Sequence, residues 1–215
     1  MFITFEGLDG SGKTTIVKEF AKKLKERFPH KEIIETREPG GKDLVEAEKI
    51  REIILDKSSD LSPIAEAMLY STSRRIHLEK VIWPALADGK FVLCDRYIDS
   101  FYAYQGYARS LGYKFVKDLT NLIIDGAIPD LTIFLDITPE DAKKRRDNSR
   151  LFNDRLENEN LEFHHKVYQG YKHLIKEDPK RFVIIDALQS PSKICDEIIS
   201  KLLSIPEFLE FVTKN

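Results

Sequence analysis

Short apolar runs alternate along the chain with stretches in which apolar residues recur every three or four positions. This alternation predicts an α/β domain with a parallel sheet. The runs Phe2–Phe5, Ile33–Thr36, Phe91–Cys94, Leu131–Leu135 and Phe182–Ile185 are rich in Ile, Val, Leu and Phe. They alternate little, as strands do when both faces of a sheet are covered. After the first run, Ile16, Val17, Phe20, Ala21, Leu24 and Phe28 form one apolar stripe, and Pro29 closes that helix. A long helix is expected from Pro63 to Leu86 and another from about Phe115 to Ile124. A third spans Leu161 to Ile175, where Phe163, Val167, Tyr168, Tyr171, Leu174 and Ile175 share a face. No repeat or low-complexity linker interrupts residues 1–215, so a single continuous domain is expected.

Composition narrows the picture by exclusion. The 215 residues are 42% hydrophobic and 33% charged, which is ordinary for a globular domain with one sizeable core. A net charge of −2 gives no general attraction to nucleic acid or to an anionic membrane, so neither is expected as a partner. Phosphate recognition must then come from local clusters of cations. No apolar run approaches the roughly 20 residues that cross a bilayer, and Glu6 arrives too early for a signal peptide. A cytoplasmic location is the resulting expectation. Cys94 and Cys195 lack metal-ligand spacing, and Cys94, inside an apolar strand, is expected to be a buried inert thiol.

The chemistry begins at Gly7-Leu8-Asp9-Gly10-Ser11-Gly12-Lys13-Thr14, which fits G-x-x-x-x-G-K-[ST] between a predicted strand and a predicted helix. In such a loop glycines let successive backbone N–H groups face phosphate oxygens, and the following helix presents its positive end to the same anion. Lys13 is placed to reach the β- and γ-phosphates of a nucleoside triphosphate, and Thr14 to offer a hydroxyl to Mg²⁺. No N-K-x-D motif follows a later strand, which disfavours a guanine-nucleotide switch. Arg37 and Glu38 stand just past the second strand, and Asp95 and Arg96 past the third, where ligands bind in open α/β sheets. Asp95 suits a Mg²⁺ ligand, and the planar fork of Arg96 suits two phosphoryl groups. The segment Lys143–Arg155 carries six cations in 13 residues. It reads equally as a solvated helix end and as a cationic lid over phosphates.

Together these pieces resemble the thymidylate kinase family over nearly the whole chain, from Phe2 to about Leu203. The resemblance rests on the P-loop with its flanks Phe5-Glu6 and Thr15, and on Thr36-Arg37-Glu38-Pro39-Gly40-Gly41. It continues through Asp95-Arg96-Tyr97, Ala103-Tyr104-Gln105-Gly106, Pro129-Asp130-Leu131-Thr132 and Asp154-Arg155-Leu156-Glu157. It implies a P-loop three-layer sandwich with a five-stranded parallel sheet and a short cationic lid at about 143–157. The implied reaction is Mg²⁺-dependent transfer of the ATP γ-phosphate to dTMP, giving dTDP and ADP, in a homodimer.

The resemblance also implies residue roles. ATP would be held by Gly7, Asp9, Gly10, Ser11, Gly12, Lys13, Thr14 and Thr15, with Arg155 beside the triphosphate. The dTMP site would comprise Asp9 at the sugar 3′-hydroxyl, Tyr70 stacked on the base, Arg74 hydrogen-bonded to it and Tyr104 near the 2′ carbon. Arg37, Glu38, Pro39, Ser100 and Gln105 complete that site, with Arg96 near the acceptor phosphate. Lys13, Asp95, Arg96 and Arg150 are the implied catalytic residues, and Thr14 and Asp95 the metal ligands. Gly10-Ser11-Gly12 offers no arginine, whereas Arg150 stands at the spacing of the family's lid arginine. Two positions depart from the pattern: Phe101 follows Ser100 where a small polar residue is common, and Leu151 replaces a common lid glycine. Other nucleoside monophosphate kinases, a deoxynucleoside kinase using Glu38 as a base, and a non-catalytic nucleotide-binding module are the alternative readings.

Overall fold

A computed structural model describes residues 1–41, 43–149 and 155–214. Its centre is a five-stranded parallel sheet in the order β2-β3-β1-β4-β5. The strands are β1 (Phe2–Glu6), β2 (Ile33–Arg37), β3 (Phe91–Asp95), β4 (Leu131–Asp136) and β5 (Phe182–Asp186). Each extends one residue beyond the apolar run that predicts it, and in every case the added residue is charged. Hydrophobicity alone truncates a strand whose last residue is charged. Ile3, Phe5, Val92, Leu93, Cys94, Ile133, Phe134 and Leu135 are essentially inaccessible, which explains why the central strands read as continuous apolar runs.

Helices α1 (Lys13–Arg27) and α9 (Pro191–Leu202) pack together over the sheet, and α1 buries the predicted stripe from Ile16 to Leu24. Helix α2 (Val45–Leu55) was not visible as a stripe, because only Ala47 and Ile54 of it are buried. The long predicted helix is present as α3 (Pro63–His77), a π-helical segment Leu78–Ile82, and α4 (Trp83–Ala87). Pro84, at the start of α4, cannot donate a backbone hydrogen bond, and the wider π turn just before it absorbs that defect. Ser62 caps α3 by accepting from the Ala65 N–H at 3.2 Å, and Pro63 occupies the position where a missing N–H costs nothing.

Helix α5 (Ile98–Phe101) continues as a π-helical segment, Tyr102–Ala108, before α6 (Tyr113–Ile124). Helix α8 (Leu161–Glu177), capped by Asn160, packs along that π segment. Gly170 permits the approach, since a Cβ there would meet the Ala103 Cα at 3.0 Å. The cationic stretch is not one irregular loop. Its first part, including Lys143, Lys144, Arg145 and Arg146, belongs to α7 (Pro139–Ser149), while Arg150, Leu151 and Asp154 lie outside the described residues. A short helix α10 (Pro206–Thr213) completes the chain. Among the described residues no helix is long and apolar enough to cross a membrane.

Candidate active site

The C-terminal ends of β1, β2 and β3 open into one cleft of about 600 Å³. The site sits there for a topological reason. After β1 the chain builds the β3–β2 side of the sheet before returning to add β4 and β5 on the other. Three loops therefore converge: the P-loop after β1, Glu38–Gly41 after β2, and Arg96–Tyr97 after β3.

In the P-loop, Gly10 and Gly12 adopt φ values of 94° and 92°. At Gly10 the requirement is also steric, since a Cβ would lie 2.5 Å from the Ala142 carbonyl oxygen of α7. Arg146 of α7 packs beneath the same loop and donates from Nη1 to the Asp9 carbonyl at 2.7 Å. Lys13, only 6% exposed, donates from Nζ to the Gly7 and Leu8 carbonyls at 3.1 and 2.9 Å. Burial and the nearby charge of Arg96 lower its pKa to about 8, although Asp9 and Asp95 oppose the shift. An incoming phosphate would reverse that shift by adding the anion the ammonium lacks. Thr14 Oγ1 donates to Asp95 Oδ2 at 2.6 Å, which places two hard oxygen ligands side by side at the start of α1.

Between β1 and β3, Arg96 holds a left-handed backbone conformation with φ 71°. Its side chain is engaged at both terminal nitrogens. Nη2 donates to Asp9 Oδ1 and to the Tyr104 hydroxyl, and Nη1 donates to Ser100 Oγ at 2.7 Å and to the Tyr171 hydroxyl at 3.4 Å. Tyr104 also donates to Asp9 Oδ2 at 2.9 Å, and the guanidinium lies 5.1 Å from its ring centroid. Burial alone would raise the Asp9 pKa, but the charges of Arg96 and Lys13 hold this carboxyl well below the usual range. Beneath Arg96 lies Glu6, fully buried, which accepts from the Tyr97 N–H at 2.8 Å and from the hydroxyls of Ser100 and Tyr171. Burial, reinforced by Asp99, pushes the Glu6 carboxyl up to about 7.

At the far end of the cleft, Arg74 donates from Nε to Glu38 Oε2 at 2.8 Å and from Nη2 to the Tyr97 carbonyl at 3.3 Å. The rings of Tyr97 and Phe101 stand 5.2 and 5.1 Å from its guanidinium carbon. Phe101 thus acts as a wall against the arginine. Arg74 Nη1 is buried with no hydrogen-bond partner among the described residues. A dry donor left unpaired costs about 1–3 kcal/mol, so an acceptor atom reaching Nη1 would be stabilised there. Tyr70 flanks this corner, its ring 6.2 Å from that of Phe101. Arg37 pairs with Glu48 at 2.8 Å and reaches the Pro39 carbonyl at 3.1 Å, while Gln105 donates to Glu66 at 2.9 Å.

Of the residues singled out from the sequence, the cleft gathers Asp9, Gly10, Ser11, Gly12, Lys13, Thr14 and Thr15 from the P-loop side. It also gathers Arg37, Glu38, Pro39, Tyr70, Arg74, Asp95, Arg96, Ser100, Tyr104 and Gln105. Gly7 lies behind the cleft, where a Cβ would meet the Leu135 carbonyl at 2.7 Å. Arg155 is not brought to the P-loop. It donates from Nε to the Ile54 carbonyl at 2.9 Å and pairs with buried Glu66, which Arg109 also meets, and so ties the end of the cationic stretch to α2 and α3. The triphosphate contact expected of Arg155 stands as a proposal beside this pairing. Arg150 lies outside the described residues. Sequence reasoning gave no individual site role to Glu6, Arg146, Glu66, His77 and Tyr171. Glu6 flanks the motif, and an acid ending an apolar strand was the available signal. The other four sit on helices, where only packing distinguishes them. Cys94 is fully buried, and burial pushes its thiol well up, as expected of an inert cysteine.

The family model described as thymidylate kinase matches residues 5–198. The chain belongs to the thymidylate kinase family. It is 60% identical over all 215 residues to the thymidylate kinase of Mycoplasmopsis agalactiae, the match covering the whole of both chains. To the thymidylate kinase of Mesomycoplasma hyopneumoniae strain J it is 52% identical, over 93% of this chain and 94% of that one. The crystal structure of thymidylate kinase from Ehrlichia chaffeensis superposes with a TM-score of 0.77 at 33% identity, covering 94% of this chain and 98% of the other. Membership of this family accounts for a cleft with a triphosphate cradle at one end and an aromatic, arginine-bearing corner at the other.

Proposed function

We propose that the chain carries out its family's reaction, phosphorylation of dTMP to dTDP with ATP, by dividing the cleft between two nucleotides. The observation that carries this reading is the spacing of Lys13, Arg96 and Arg74 along one cleft: a triphosphate site, a bridging arginine, and an unpaired donor between aromatic rings. The P-loop from Gly7 to Thr15 binds ATP. Tyr70 covers the base of dTMP, and Arg74 Nη1 donates to a base carbonyl. Tyr104 crowds the sugar 2′ position, and Asp9 meets the 3′-hydroxyl. Arg37, Glu38, Pro39, Ser100 and Gln105 line and brace the acceptor side.

In the reaction an acceptor phosphate oxygen forms a bond to the γ-phosphorus while the bond to the β–γ bridging oxygen breaks and ADP leaves. There is little covalent work for the protein, so catalysis rests on alignment and charge. Lys13 and Arg96 hold the donor and acceptor phosphates against their mutual repulsion, and Arg150, from the lid, stabilises the charge on the transferring group. Thr14 and Asp95 fit Mg²⁺ because they offer a hydroxyl and a carboxylate beside the phosphate cradle. An ion held by these two side chains would complete its shell with water and phosphate oxygens. When bound, the ion neutralises β- and γ-phosphate charge.

We infer that the homodimer implied by the family resemblance would use the outer faces of α3 and α6, which pack side by side. Ile64 and Met68 stand exposed one turn apart on α3, as do Phe115 and Leu122 two turns apart on α6. Met68→Glu should convert the dimer to a monomer by sedimentation.

A coupled ADP-release assay with dTMP, dUMP, UMP, CMP and thymidine tests the activity. Turnover should be greatest with dTMP and weak with UMP. ADP release with thymidine but not with dTMP would refute the reading. Arg150→Ala should reduce kcat far more than it raises the KM for dTMP, and an equal loss of both would remove Arg150 from the transition state.

A further inference from the structure

Behind Arg74, outside the cleft, lies His77, one turn further along α3 and entirely buried. Both of its ring nitrogens are engaged. Nε2 lies 2.6 Å from the hydroxyl of Thr36 on β2, and Nδ1 lies 3.1 Å from Oε1 of Glu38. The second oxygen of the Glu38 carboxylate receives Arg74 Nε. A carboxylate facing Arg74 can only accept, so Nδ1 carries a proton and donates to Glu38, while Nε2 shares a hydrogen bond with the Thr36 hydroxyl. The ring thus links β2 to the Glu38 carboxylate, which the guanidinium meets from the other side. Gly41 leaves room for the ring, since a Cβ there would lie 2.8 Å from His77 Cδ2.

We propose that His77 is a positioning residue for recognition of the acceptor base, fixing Glu38 and through it the one guanidinium nitrogen of Arg74 that no described residue uses. The proposal rests on the reading that Arg74 meets the base. Tyr97 and Phe101 set the plane of the guanidinium, but rings on its faces do not fix its rotation within that plane. The Glu38 carboxylate at 2.8 Å, helped by the longer 3.3 Å contact of Nη2 with the Tyr97 carbonyl, stops this rotation. The carboxylate holds firmly only while its own second oxygen is held. His77 supplies that hold. A carboxylate tied at one oxygen pivots; tied at both, it aims Arg74 Nη1 in one direction.

Two substitutions separate positioning from packing. In His77→Asn the amide nitrogen falls near the position of Nδ1 and keeps the donor to Glu38. In His77→Gln the amide reaches toward Thr36 and loses that donor. Both lose ring packing, so both should lower the melting temperature. The KM for dTMP should rise about tenfold in His77→Gln, the usual effect of one lost hydrogen bond to a charged group, and stay within about threefold of wild type in His77→Asn. The KM for ATP and the kcat at saturating dTMP should change by less than about twofold in either. Equal dTMP KM values in the two variants, raised or not, would overturn the proposal. Should neither fold, Thr36→Val removes the outer anchor of the ring and should raise the dTMP KM by severalfold; a wild-type value would likewise overturn it. Arg74→Gln locates any failure. If it leaves the dTMP KM unchanged, the base contact of Arg74 is wrong and the His77 proposal falls with it. If it raises KM while His77→Gln does not, the His77 proposal alone falls.

Discussion

Glu38 and Glu48 each accept from an arginine near the end of β2, but in different surroundings, and glutamine substitution at each should separate buried from exposed charge. The Glu38 and Arg74 side chains are 3% and 2% exposed, whereas those of Glu48 and Arg37 are 29% and 35% exposed. Glu38→Gln leaves the Arg74 charge buried without a counter-charge. Stranding one member of a buried pair costs about 3–5 kcal/mol. The remaining amide oxygen can serve either Arg74 Nε or His77 Nδ1 but not both, so little of the loss is recovered. For a domain of this size each kcal/mol shifts the melting temperature by about 2–4 °C, so a fall of roughly 6–12 °C or more is expected. Glu48→Gln breaks a solvated pair worth at most about 1 kcal/mol, so a fall below about 4 °C is expected. Scanning calorimetry of the two variants at one pH and salt concentration measures both shifts. Raising salt should narrow the deficit only for Glu48→Gln, because Glu48 and Arg37 are the charges that counter-ions reach. Equal shifts, or a larger one for Glu48→Gln, would refute the claim that burial sets the cost of these pairs.

Gly10→Ala should abolish measurable turnover, because the left-handed turn and the Ala142 carbonyl leave no room for a Cβ; Gly89→Ala, also left-handed but facing open space, should retain full activity. The Glu6 carboxyl is raised in the folded state from an ordinary 4.5 to about 7, so the native protein binds the extra proton and stability falls as pH rises between those values. The loss is on the order of 3 kcal/mol, at about 1.4 kcal/mol per pH unit, and the wild-type melting temperature should therefore fall relative to that of Glu6→Gln from pH 5 to 7. A pH-independent difference between the two proteins would show that Glu6 does not titrate there. Asp95→Asn should raise the Mg²⁺ concentration needed for half-maximal rate by tenfold or more, read from a metal titration at saturating nucleotides; an unchanged requirement would remove Asp95 from the metal site.

The sequence by itself determined the five strands, the phosphate loop and the order of the motifs. It did so because each leaves a local signal: a continuous apolar run for a strand covered on both faces, glycines for left-handed turns, a lysine and threonine at fixed offsets. It did not determine α2 or α7, whose buried residues are too few to make a stripe, and it left Lys143–Arg155 evenly balanced between helix end and lid. Which charges are already spent was also hidden, and this only the tertiary structure decided. Arg155 reads as a phosphate ligand from its motif, yet the fold also pairs it with Glu66, far away in sequence. Arg74 reads as half of a pair of helix-face residues, yet β2, β3 and α5 converge to bury it, pair it on one side and leave one nitrogen open. A motif records which side chains are present, but partnership depends on distances between segments that the fold alone brings together.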